Sequence, residues 1–199
     1  MRPRDTVKED AIKKLALKII EEEGLENLSM QKLAKAAGIS PRTIYLKYEN
    51  KEDLLIKLFI EEVLANYEKA VLEKFSEDME FAAGVKLIWL NTFRYFKSNR
   101  QAYALVQYGK SSPLLNNAFK EKNITEGQFF APVHSFLKMH VKKGLIRKFP
   151  GEIHRALLFA PVLDLVGEYF DYQKRSRQII TEKSLLECCE VVIKGMLLK

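Results

Sequence analysis

The chain has 199 residues, with 33 Lys+Arg against 26 Asp+Glu, a net charge of +7 and 47% hydrophobic residues, which suits one or two domains with a buried core. Its two cysteines, Cys188 and Cys189, are adjacent and cannot form a structural disulfide with each other, so a reduced, cytoplasmic setting is expected. The N-terminus is charged without an apolar run, which argues against a signal peptide, and the longest apolar stretch, 156–166, contains Pro161 and Asp164 and is too short to span a bilayer.

In chain order the whole sequence reads as helix, with no useful β-alternation and no repeat. Thr6 and Glu9 form a capping-box pattern, after which Ile12, Leu15, Ala16, Ile19 and Ile20 recur at helical spacing up to Gly24. Residues 29–51, SMQKLAKAAGISPRTIYLKYENK, then predict two short helices around a tight turn. Ser29 is an N-cap, Ala34 and Gly38 supply the small residue and the left-handed turn residue, and Leu33, Ala37, Ile39 and Ile44 supply the apolar contacts. Ser40 followed by Pro41 starts the second helix and directs Arg42, Thr43, Tyr45 and Lys47 from its first turns. Between Ser29 and Tyr48 stand four basic residues (Lys32, Lys35, Arg42, Lys47) and no acidic one, although acidic residues flank the segment on both sides. A local lack of carboxylates is what a phosphate-facing surface requires, so this segment reads as a DNA reader.

Asn50 caps a further helix, expected from Lys51 to about Lys74. Phe81–Phe96 is apolar nearly all round and predicts a buried central helix. Residues 100–108 form a shorter segment ended by Gly109 and the turn at 111–113, and two more segments lead to the stop at Lys142, Lys143 and Gly144. His154–Tyr172 is apolar over most of its circumference. Leu185, Leu186, Cys189, Val192, Ile193, Met196 and Leu197 form one stripe on the last helix, which suits a four-helix bundle made by two chains or ordinary intrachain packing.

Residues 24–55, GLENLSMQKLAKAAGISPRTIYLKYENKEDLL, resemble the DNA-binding signature of the tetracycline-repressor (TetR) family of bacterial transcription regulators. The matching features are Gly24, the AAGIS turn at 36–40, Thr43-Ile44-Tyr45, Tyr48, and Asn50-Lys51-Glu52 leading to Leu54. The resemblance implies an all-α fold with an N-terminal three-helix DNA-binding domain, residues 1–51, followed by a larger helical effector-binding and dimerisation domain, residues 52–199. It implies phosphate contacts from Thr43, Tyr45, Lys47 and Lys51 with Ser29 beside them, base contacts from Gln31 and Arg42, and Ser40 and Pro41 on the same face. Arg and Gln are chemically suited to guanine and adenine edges. Lys47 and Arg42 depart from commoner residues of the motif, and both departures add positive charge.

The resemblance tips the last-helix stripe toward a homodimer seam through Leu186, Cys189, Ile193 and Met196, which a palindromic double-stranded DNA operator would require. It also implies a small-molecule effector, for which Trp89, Thr92, Phe93, Phe96, Tyr103, Phe130, His134 and Asp164 are the candidate pocket residues, favouring an apolar or aromatic compound. No cofactor is implied. His134, His140 and His154 lack the i, i+4 spacing of a helical zinc pair, so no metal is expected. The expected function is a ligand-responsive repressor. A DNA-binding architectural or protein-partner-regulated factor is the alternative, and no nucleophile–base pair or phosphate loop points to an enzyme.

Overall fold

In the computed structural model, residues 3–111, 129–172 and 177–198 are described, and they are helical apart from turns and one isolated bridge between Ile146 and Leu197. The helices are α1 (Pro3–Glu23), α2 (Met30–Ala36), α3 (Pro41–Tyr45), α4 (Lys51–Lys57), a π-helical segment (Leu58–Leu64), α5 (Ala65–Val71), α6 (Phe81–Ser98), α7 (Arg100–Ser111), α8 (Ala131–Lys142), α9 (Gly151–Tyr172) and α10 (Glu182–Met196). No helix among the described residues is long and apolar enough to cross a membrane. The chain divides into two compact units, one from the described residues of Met1–Ala65 and Asn99–Thr125, the other from those of Asn66–Ser98 and Glu126–Lys199.

In the first unit, Ile12, Ala16, Ile19 and Ile20 of α1 are buried with Leu33, Ile44, Leu54, Leu55 and Leu58. Helix α7 packs on α1 and on the π-helical segment through a face that buries Ala102, Leu105 and Val106. The expected domain edge at 51/52 therefore falls inside this unit. Helix α1 begins at Pro3, ahead of the Thr6 start, since proline at a first helical position loses no intrahelical bond. Helix α7 runs through Gly109 to Ser111, so that glycine does not end it; a helical glycine costs only about 1 kcal/mol, which packing offsets. The expected turn at 111–113 and the segment after it lie largely outside the described residues.

The expected helix from Lys51 is helical to Val71, but its middle, Leu58–Leu64, is π-helical. Lys13 of α1 is 8% exposed and faces this stretch, its Nζ 2.7 Å from Glu61 Oε2 and 3.2 Å from Glu62 Oε1. Burial pulls the Lys13 pKa down, but the hydrogen bonds and charges of both glutamates more than offset it and leave it above the usual lysine value.

In the second unit α6 packs against α9 and α10. Phe81, Val85, Ile88, Trp89, Phe93 and Phe96 of α6 are buried, as are Leu158, Val162 and Val166 of α9. Phe136 of α8 packs against Gly84, where a Cβ would stand 2.7 Å from Cζ of that fully buried ring. Thr181 and Ser184 make a reciprocal capping box that starts α10. The α10 stripe corrects an expectation. Cys189, Ile193 and Met196 are 0–4% exposed within this single chain, and Leu186 is half-buried. Helix α10 uses that stripe to pack on α6, so it is not an open seam for a partner. Burial pushes the Cys189 thiol up to about 12.

Candidate nucleic-acid interface

The geometry of α2 and α3 follows from their caps. Ser29 Oγ accepts from the Lys32 amide at 3.2 Å and starts α2. At its end the Ile39 amide donates to the Ala34 carbonyl at 3.1 Å, while Gly38 adopts φ +63°. Space around Gly38 is open, so the left-handed backbone rather than crowding requires glycine there. Ser40 Oγ accepts from the Thr43 amide at 3.2 Å and lies 2.9 Å from Thr43 Oγ1, with Pro41 at the first position of α3. Leu33, Ala34 and Ile44, each 0–1% exposed, form the contact between the two helices.

What this frame leaves outward is the candidate surface. Ser29, Gln31, Ser40, Pro41, Arg42 and Tyr45 are all exposed, as the sequence led us to expect, and Thr43 is half-buried. Lys35 is exposed beside them and belongs to the same surface, although only its charge had marked it. Leu46, 78% exposed, was also missed; an apolar residue left so open on a polar surface is a signal that only the fold supplies. Neither α2 nor α3 carries an acidic residue.

Two phosphate-contact expectations change. Lys47 Nζ lies 3.4 Å from Glu9 Oε2. Lys51 Nζ donates to the Leu25 carbonyl at 2.9 Å, tying α4 to the turn after α1. Both ammonium groups are committed within the protein, because neighbouring elements bring acceptors to them. Lys32 is likewise paired, with Glu23. Tyr48 is fully buried, with Lys57 Nζ 5.1 Å from its ring centre, and burial pushes its phenol up to about 12. It is a core residue of the reader.

The candidate effector residues do not converge on one place. Trp89, Thr92, Phe93 and Phe96 are 0–2% exposed inside the second unit. The Thr92 hydroxyl lies 3.3 Å from that of Tyr67, whose phenol is pushed above its ordinary pKa by burial. Phe130 meets the ring of Tyr67 edge-on at 5.2 Å and lies 5.4 Å from that of Phe159. His134 lies instead on a separate cleft, and Tyr103 is on α7 in the first unit. Asp164 is exposed, correcting its expected interior position: its apolar chain neighbours turn inward, and helical rotation carries Asp164 to the outer face. Both Asn91 and His140 are satisfied: half-buried Asn91 donates to the carbonyls of Val71 and Glu73, and Nδ1 of buried His140 lies 2.9 Å from the Phe136 carbonyl.

The family model of bacterial regulatory proteins, tetR family, matches residues 12–58, from the core of α1 to the start of the π-helical segment. Over those residues the chain carries the DNA-binding region of the tetR family. It is a DNA-binding transcriptional regulator, and the surface of α2 and α3 is its helix-turn-helix. The chain is 26% identical over 173 residues to an uncharacterized HTH-type transcriptional regulator of Haemophilus influenzae, an alignment covering 84% of this chain and 88% of the relative. A crystal structure of a TetR family regulator from Marinobacter aquaeolei shares the fold with a TM-score of 0.79 at 23% identity, covering 100% of both chains. The Bacillus subtilis regulator FadR, in complex with stearoyl-CoA, shares it with a TM-score of 0.64 at 21% identity, covering 89% of this chain and 95% of that one.

Proposed function

We propose that this regulator is a repressor that binds a palindromic operator as a homodimer and is released by a small apolar or aromatic effector, with residues 1–51 reading DNA and residues 52–199 serving the other two roles. The observation that carries the reading is the outward surface of α2 and α3, where Gln31, Lys35, Arg42 and Tyr45 are exposed with no carboxylate on either helix. Gln31 and Arg42 read base edges there, while Ser29, Thr43, Tyr45 and Lys35 hold phosphates.

The dimer reading moves to the other side of α10. Cys188, Val191 and Gly195 follow one another at i, i+3 and i+7 and are all exposed, Val191 at 71%. On α9, which packs beside α10, Ile153, Ala156 and Asp164 are exposed. Apart from Asp164, these open residues on two adjacent helices are small or apolar, which suits a face covered by the same face of a second copy. The effector reading rests on the aromatic interior of the second unit, where the Trp89 indole N–H has no hydrogen-bond partner, and on the acyl-CoA ligand of the FadR relative.

Selection of genomic DNA fragments by the purified protein tests the reading. The expected product is an inverted repeat upstream of a regulated gene, whose expression rises when this regulator is deleted. Recovery of fragments without a shared motif would overturn it.

A further inference from the structure

A cleft of about 300 Å³ opens in the second unit between α8 and the start of α9, separate from the buried aromatic interior. Its apolar lining comes from Leu137, Val141 and Phe149, and its charged lining from Lys138, Lys142 and Lys148. No acidic residue lines it. Helical spacing explains the arrangement on α8. Leu137 and Val141 stand four residues apart on one stripe, and Lys138 and Lys142 on the stripe beside it, so an apolar strip runs alongside a cationic one.

The charge around the cleft is unusual for this chain. From Ala131 to Arg155 there are six Lys and Arg residues (138, 142, 143, 147, 148 and 155) against one acidic residue, Glu152. That gives +5 over this stretch, in a chain whose total is +7. Two exposed cations elsewhere in the same unit are paired: Lys86 with Glu190 at 2.9 Å, and Arg94 with Glu182 through two hydrogen bonds of 2.7 and 2.8 Å. Lys138 and Lys142, by contrast, share a helix face as like charges, a spacing that disfavours them until an anion sits between them.

The walls of the cleft are held in place. His154 is buried, its Nε2 donating to the Arg147 carbonyl at 2.9 Å, and the Phe149 ring meets it edge-on at 5.6 Å. The chain from Arg147 to α9 is thus held from inside, with Lys148 and Phe149 on the cleft wall. Gly151, the first residue of α9, also lines the cleft, and the space beside it is open: a Cβ there would meet nothing within 4 Å.

We propose that this cleft binds a small organic anion, with its apolar body on Leu137, Val141 and Phe149 and its acidic head met by Lys138, Lys142 and Lys148. Its volume stands at the lower end of ligand pockets, about 300–1,000 Å³, which suits a compound of one ring or a short chain. The inference goes beyond the effector reading, because it concerns a different place and needs no effect on DNA.

The test uses the full-length protein and three probes that share one apolar body: 4-phenylbutyrate, 4-phenylbutanol and 4-phenylbutylamine, measured by calorimetry. The acid should bind about tenfold or more tightly than the alcohol, the value of one or two charge-assisted hydrogen bonds, and the amine more weakly still. In the variant K138Q/K142Q/K148Q, whose substitutions are all at exposed positions, acid and alcohol should bind alike. Gly151→Leu places a side chain in the opening without touching the lysines, and should weaken acid and alcohol together; unchanged melting temperatures show that both variants are folded. Equal binding of acid and alcohol by the parent overturns the proposal, as does acid binding that survives both variants. Loss of binding to anionic vesicles or random duplex DNA in the lysine variant, with no acid binding by the parent, overturns it in favour of a macromolecular surface. Operator release is not the readout, so failure here leaves the effector reading standing.

Discussion

Lys35 and Arg42 are the exposed cations of the helix-turn-helix for which the structure shows no carboxylate, and chemistry separates their roles. A lysine presents a point charge, so Lys35→Ala should weaken operator and random DNA alike and lower the slope of log affinity against log salt by about 0.9. Arg42 carries a planar fork that matches a guanine edge. Its loss should cost about 1–3 kcal/mol on the operator and little on random DNA. Equal losses on both sequences would place Arg42 on phosphate instead. Lys47 provides the contrast, because its ammonium is 3.4 Å from Glu9. Lys47→Ala should leave the salt slope unchanged, whereas a fall of about 1 would show that Lys47 leaves Glu9 for the DNA backbone. The outward set around Ser29, Gln31, Arg42 and Tyr45 was legible because caps and turn residues are local signals that fix which way a short helix faces. The engagement of Lys47 and Lys51 was not legible, since their acceptors, Glu9 and the Leu25 carbonyl, are distant in sequence and one is backbone.

Among the elements, the π-helical segment had no sequence signature: Leu58–Leu64 contains neither proline nor glycine, and its apolar spacing reads as ordinary α-helix. What marks it in the fold is Lys13, whose ammonium is held by the consecutive carboxylates Glu61 and Glu62. Glu61 and Glu62 are 45% and 32% exposed at their side chains and recover water if the lysine is removed. Lys13→Met should therefore destabilise the protein by only about 1–2 kcal/mol, less than a fully buried pair would cost. The Lys13 pKa is raised above its ordinary 10.5, so its contribution is complete below that value and is lost as pH rises through the folded-state value. Denaturant melts of parent and variant should differ by a constant amount from pH 7 to 9, and the gap should narrow only above about pH 10.5. A gap that closed between pH 7 and 9 would show that Lys13 is not the group responsible. The stripe on α10 teaches the opposite lesson about legibility. Its apolar period was plain in the sequence, but period alone does not say whether α6 or a second chain covers it, and a helix has an outer side as well.

At the scale of the whole molecule, the proposed dimer makes that outer side the place where two copies join to bring two helix-turn-helix units to one operator. Two substitutions within one turn of α10, one on its outer and one on its inner face, separate the possibilities. Ile193 is 4% exposed within the single chain, so Ile193→Asp should bury an unpaired charge in the α6 contact and unfold the second unit whatever the oligomeric state. Val191 is 71% exposed, so Val191→Glu should leave the fold of one chain intact, with helix content and intrinsic stability of the monomer preserved. If the face through Cys188, Val191 and Gly195 is where two copies meet, the same substitution places a like-charged pair across the two-fold axis. Sedimentation should then show a folded monomer, and operator affinity should fall steeply because each half-site is bound alone, while affinity for random DNA changes little. Oxidation supplies a second readout, since the exposed Cys188 should cross-link two parent chains and Cys188→Ser should abolish the product. A Val191→Glu protein that stays dimeric and keeps its operator affinity would move the dimer away from α10, and the palindromic reading would then need another pair of faces to bring the two readers to one turn of DNA.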